Sequence, residues 1–206
     1  MALIDFGWCG LEAAITSFVR DMPKVELHVH LEGSIEAETL LALAERNKIS
    51  LPYATADAVR QAYKFRSFSE FARALLTAVG CIRALEDFSF LVQHLGAAMH
   101  RQNIGYAEVT WTPQLYGHLG YTPDEILAAL NDGRSEVRRS WGVEIRWIPD
   151  LVRSYPQPAL KVQSWAVSDS ARDGGVVALG LGGPETAVVP PEIRAVSYTH
   201  LRAHET

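Results

Sequence analysis

Two histidines, His28 and His30, stand two residues apart in the segment Glu26-Leu27-His28-Val29-His30-Leu31-Glu32-Gly33. The segment alternates, with Val25, Leu27, Val29 and Leu31 on one face and Glu26, His28 and His30 on the other. Period two is the mark of a strand. On a strand, both imidazoles point the same way. Their separation suits two nitrogens on one metal ion at about 2.0–2.1 Å each. Glu32 follows on the histidine side just past the strand end, and Gly33 closes the strand. A bare His-x-His is equally compatible with two partly exposed, hydrogen-bonded histidines. The aliphatic frame and the Leu-Glu-Gly exit favour ligands. A catalytic zinc site also needs a third protein ligand and an open position, which this strand does not supply.

The elements around the motif follow from periodicity. Leu11, Ala14, Ile15 and Phe18 space as one face of a short helix that Pro23 ends. After the histidine strand come helical spacings over Ser34 to Asn47, Thr55 to Tyr63, Ser67 to Val79 and Leu85 to Gln102. Ser67 with Glu70 reads as a capping box, as do Thr122 and Glu125 around Pro123. Strands are expected at Tyr106 to Trp111 and Val143 to Ile148, and a helix at Pro158 to Arg172. Gly175 to Leu181 is a continuous apolar run that suits a buried parallel strand. Alternating units of this kind imply a parallel sheet with helices outside and right-handed crossovers. Active sites in such folds lie at the C-terminal ends of the strands, where the two histidines fall. Periodicity leaves both an open sheet and a closed barrel possible.

Composition narrows the function classes. The chain has 206 residues, 48% of them hydrophobic, with 19 basic against 24 acidic residues and a net charge of −5. That balance argues against a nucleic-acid partner. No apolar run is long enough for a membrane span, and Met1 to Arg20 lacks the features of a signal peptide. Cys9 and Cys81 are too few for a disulfide framework, so a cytoplasmic location is expected. The length falls short of the roughly 250 residues typical of a (β/α)8 barrel.

Met22-Pro23-Lys24-Val25-Glu26-Leu27-His28-Val29-His30-Leu31-Glu32-Gly33-Ser34 resembles the opening of the adenosine deaminase family of metal-dependent hydrolases. Tyr106-Ala107-Glu108-Val109 with Pro113 looks like that family's second strand. Val176-Val177-Ala178-Leu179-Gly180-Leu181-Gly182-Gly183-Pro184-Glu185 looks like its fourth. The resemblance implies a (β/α)8 barrel, here about four parallel strands with a helical insertion after the first. It implies one zinc that turns water into a nucleophile for the 6-amino carbon of a purine. It also implies a small-molecule purine as the partner, with neither nucleic acid nor membrane. His28 and His30 match the first two zinc ligands. Glu32 stands where the family usually carries an aspartate near purine and ribose. Gly183 matches a glycine whose backbone N–H contacts the purine.

Other residues carry two readings each. Phe65, Phe68 and Phe71 are either an apolar lid or helix core, and core is favoured for Phe68. Asp150 is expected to be structural. His94, His100 and His118 read as surface or satisfied residues, and Arg134, Arg138 and Arg139 as a solvated helix face.

The family's third zinc-binding histidine, catalytic glutamate and paired aspartates have no match in this sequence. The expected organisation is an extension over 1–21, a family-like part over 22–190 and an unrelated tail over 191–206, in a shortened reading frame. Hydrolytic deamination of adenosine to inosine is the leading expectation. Rivals are deamination of adenine or another 6-aminopurine, a different metal hydrolase sharing the histidine strand, and a non-catalytic polypeptide.

Overall fold

The computed structural model describes residues 8–153, 156–183 and 191. Four strands, β1 (Lys24–His30), β2 (Ile104–Trp111), β3 (Glu144–Val152) and β4 (Gly180–Gly182), form one sheet in the order β1-β2-β3-β4. All three pairings are parallel. The helices are α1 (Trp8–Asp21), α2 (Ala37–Arg46), α3 (Ala56–Ala62), α4 (Phe68–Val79), α5 (Leu85–Arg101), α6 (Pro123–Trp141), α7 (Pro156–Ala166) and α8 (Asp169–Asp173). Helices α2 to α5 make up the insertion between β1 and β2.

Alternation along β2 and β3 decides which face is which. Ala107, Val109 and Trp111 on β2, and Ile145 and Trp147 on β3, are fully buried. They pack in one core with Phe88, Leu91 and Val92 of α5 and Ile126, Leu130 and Val137 of α6. The opposite face takes Thr110, Ile148 and Asp150 beside the histidines.

Capping explains where the helices begin. The Thr122 hydroxyl accepts from the Glu125 N–H while the Glu125 carboxylate accepts from the Thr122 N–H, with Pro123 in the first turn of α6. Ser67 caps α4 through the Glu70 N–H, but Glu70 reaches back to the Arg66 N–H, one residue further than expected. Asp87, fully buried, accepts from the N–H groups of Arg83 and Ala84 and from Asn47 Nδ2, and pairs with Arg46 Nε at 3.1 Å. It ties α2 to the head of α5 and so fixes the insertion against the sheet.

Several expectations change. The Pro158–Arg172 helix is two helices, because Ser168 caps a new start at Asp169. The Gly175–Leu181 strand shrinks to a single bridge at Val176 plus Gly180–Gly182. Phe68 is 61% exposed, so it is not core; Ala74, Ala78 and Val79 are α4's buried face. Arg134 is half-buried rather than fully solvated, and its Nη1 donates to the Gly174 carbonyl at 3.2 Å.

The largest change concerns β1. Even alternation in a sheet with helices outside would pack Val25 and Leu27 on helices, but they are 64% and 56% exposed. Strand β1 is the sheet's edge among the described residues, paired to β2 alone. Its register also shifts between Glu26 and Val29, where three steps of β1 match two of β2. Such a bulge breaks period-two alternation and re-aims side chains. Leu27 consequently lines the same cleft as His28.

Candidate metal centre and cleft

The β1 bulge sets the geometry of the two histidines. His28 Nε2 and His30 Nε2 lie 3.3 Å apart, with ring centroids 5.3 Å apart and planes tilted by 41°. Two nitrogens at about 2.0–2.1 Å from one tetrahedral zinc would lie about 3.3–3.4 Å apart. The donor pair therefore fits a zinc ion at two of its positions. Partial burial, and then the neighbouring His28, push the His30 pKa down, which favours the neutral imidazole that binds metals. Among the described residues, no cluster of three or more His, Cys, Asp or Glu side chains gathers around a metal position.

The histidines open on a cleft of about 290 Å³, lined also by Thr110 of β2, Ile148 and Asp150 of β3, and Gly180 and Gly182 of β4. Asp150, 5% exposed, belongs to this wall. Burial, and then the charge of Glu32, push its pKa up to about 7, against the pull of Arg153 and of the Leu151 and Gly182 N–H groups. Asp150, expected to be structural, is thus also part of the cleft. The signal was its even-numbered place on β3, in step with Ile148.

Glu32 sits in a single 3-10 turn after β1 and is 4% exposed. Its Oε1 accepts from the Thr112 N–H and the Tyr116 hydroxyl, both at 2.9 Å. Burial raises its pKa, and these hydrogen bonds oppose the rise. It borders a small pocket of about 60 Å³ with Gly33, Tyr63, Phe65 and Phe71. The Phe65 and Phe71 rings meet edge-on with centroids 5.4 Å apart, and Phe68 lies 5.9 Å from Phe71. The three phenylalanines thus form one aromatic cluster, with Phe65 and Phe71 beside the acid.

Gly183 follows β4 with φ +94, a conformation that favours glycine. Its carbonyl accepts from Arg153 Nη1 at 2.9 Å. Glu185 and the segment from Thr186 lie outside the described residues, Pro191 excepted. His94 and His118 bond backbone carbonyls, and His100 stacks on Trp141, all away from the cleft.

Comparison with known proteins places this geometry. Residues 23–206 match the adenosine deaminase family. The chain is 34% identical over 169 residues to aminodeoxyfutalosine deaminase of Acidothermus cellulolyticus, covering 82% of this chain and 47% of that protein. It is 35% identical over 137 residues to adenine deaminase of Rhodospirillum rubrum, covering 66% and 41%. An amidohydrolase from Burkholderia ambifaria with bound Zn superposes with a TM-score of 0.73 at 25% identity, over 94% of this chain and 52% of that one. The chain thus spans about half the length of the curated relatives it matches. Its four parallel strands are half the eight of a (β/α)8 barrel. The paired histidines, the glycine turn after β4 and the match over most of the sequence make this chain a member of the adenosine deaminase family.

Proposed function

We propose that the protein is a zinc-dependent deaminase that replaces the 6-amino group of an adenine-bearing purine with oxygen and releases ammonia. The observation that carries this reading is the 3.3 Å approach of His28 Nε2 and His30 Nε2 at the mouth of a cleft in a chain of this family. His28 and His30 hold the zinc from β1, and further ligands complete it. Zinc, when bound, makes water a nucleophile at neutral pH. Glu32, fixed by Thr112 and Tyr116, and Gly183, at the close approach after β4, face the purine. The phenylalanine cluster beside Glu32 excludes water from the apolar side of the substrate.

Adenosine is the substrate the sequence suggests, but the relatives are named for aminodeoxyfutalosine and adenine. The substrate class is therefore a 6-aminopurine, with adenine and aminodeoxyfutalosine favoured over adenosine. The test is ammonia release from each of the three by the protein as its gene encodes it, with zinc and then with a chelator. Zinc-dependent release from one or more is expected. No release from any 6-aminopurine by the zinc-loaded protein overturns the reading. Among the described residues no helix is long and apolar enough to cross a membrane, and a small soluble metabolite is the partner we propose.

A further inference from the structure

Asp150 is a buried carboxylate in the wall of the histidine cleft. Two observations set it apart from a packing residue. It lies against β4 at Gly180 and Gly182, and neither position has room for a side chain. A Cβ on Gly180 would stand 2.6 Å from Asp150 Oδ1, and one on Gly182 would collide with Oδ2. The second observation is its incomplete set of partners among the described residues. The Leu151 and Gly182 N–H groups pull its pKa down, whereas a carboxylate offers about four acceptor positions. Arg153, the cation that acts on it, gives its Nη1 to the Gly183 carbonyl instead. A buried acid with unused acceptor positions facing a cleft is costly unless a ligand supplies donors.

We propose that Asp150 is a specificity-determining residue of this cleft: its carboxyl takes a hydroxyl or N–H of a neutral adenine compound and, with Glu32 near it, turns away the phosphate of a nucleotide. Sites that hold phosphate use arginine, lysine or a helix N-terminus. This wall offers the Asp150 carboxyl instead, with the Glu32 carboxyl in the neighbouring small pocket. The proposal rests on the 6-aminopurine reading above and adds the substrate's charge and the residue that selects it.

The test titrates adenine, adenosine and AMP calorimetrically into the zinc-loaded protein as its gene encodes it. The proteins compared are the unsubstituted one, Asp150→Ala and Asp150→Asn, with zinc content and kcat and KM measured alongside. AMP is expected to bind about tenfold or more weakly than the better neutral ligand. Asp150→Ala should weaken that neutral ligand by about tenfold or more with zinc content unchanged. Asp150→Asn, close in shape and still an acceptor, should recover part of this affinity and narrow the gap to AMP. It also keeps the test open if the alanine variant does not fold. A loss confined to adenosine assigns a sugar hydroxyl as the donor; a loss with free adenine assigns an N–H. Unchanged affinity in a folded Asp150 variant overturns the proposal, and so does AMP binding as tightly as adenosine. If the unsubstituted protein binds none of the three and does not bind aminodeoxyfutalosine either, the 6-aminopurine reading falls and this proposal falls with it.

Discussion

Five residues of one segment contain two opposite environments. His28 and His30 lie on an exposed edge strand, and each finds the other as its ring partner. Glu32, two residues later, is buried and held by an amide and a phenol from the β2 exit. Asp150 on β3 shares that buried character. Both acids are thus held by packing within this chain, Asp150 in the wall of the cleft and Glu32 in the neighbouring small pocket. On the proposed function, the histidine side depends on a metal and on further ligands. Loss of a histidine should therefore cost metal affinity, and loss of Glu32 should cost stability.

That contrast can be tested in order of expected effect. The largest is a pH dependence of stability. The Asp150 pKa is raised from 3.8 to about 7, so folding favours its neutral form. Its contribution is fully present below about pH 4 and is lost as pH rises through 7. The summed loss is at most about 4 kcal/mol across that window. Urea unfolding of zinc-free protein at pH 4, 5.5 and 7 should show stability falling with pH, and Asp150→Asn should flatten the trend. A slope unchanged in that variant would place the titration elsewhere.

Next is Glu32→Ala, which leaves the Thr112 N–H and Tyr116 O–H without their acceptor. A loss of about 3 kcal/mol is expected by denaturant unfolding. Glu32→Gln, which keeps an acceptor, should cost less than half as much. A surface-like cost under about 0.5 kcal/mol would remove the distinction between the two sides. His28→Ala and His30→Ala should change the stability of zinc-free protein by no more than about 0.5 kcal/mol. Smallest of all, Val25→Thr and Leu27→Thr should change it by a few tenths of a kcal/mol in this chain, because both side chains are exposed.

Much of this was legible in the residues. Alternation in Val25–Leu31 located β1 and aimed the histidines correctly, because period two needs no tertiary knowledge. The capping residues Thr122 and Glu125 marked the start of α6, because capping is a local interaction. The exposure of Val25 and Leu27 was not legible. It depends on which strand lies at the edge and on a bulge that only pairing with β2 reveals. Nor was the environment of Asp150, which comes from Gly180 and Gly182, thirty residues or more along the chain. Glu32 was placed near the site by the motif, but its hold on Tyr116 required the fold. Phe68 went astray because helical spacing shows a stripe without showing whether anything covers it.

X-ray absorption at the zinc edge, with stoichiometry measured by dialysis, decides whether His28 and His30 are two ligands of one zinc. One zinc with imidazole nitrogens at about 2.0–2.1 Å is expected. Also expected is at least a tenfold (~1.4 kcal/mol) loss of affinity in His28→Ala and again in His30→Ala, with Glu32→Gln retaining the metal. Zinc bound with unchanged affinity and nitrogen count after both histidines are replaced would contradict this assignment.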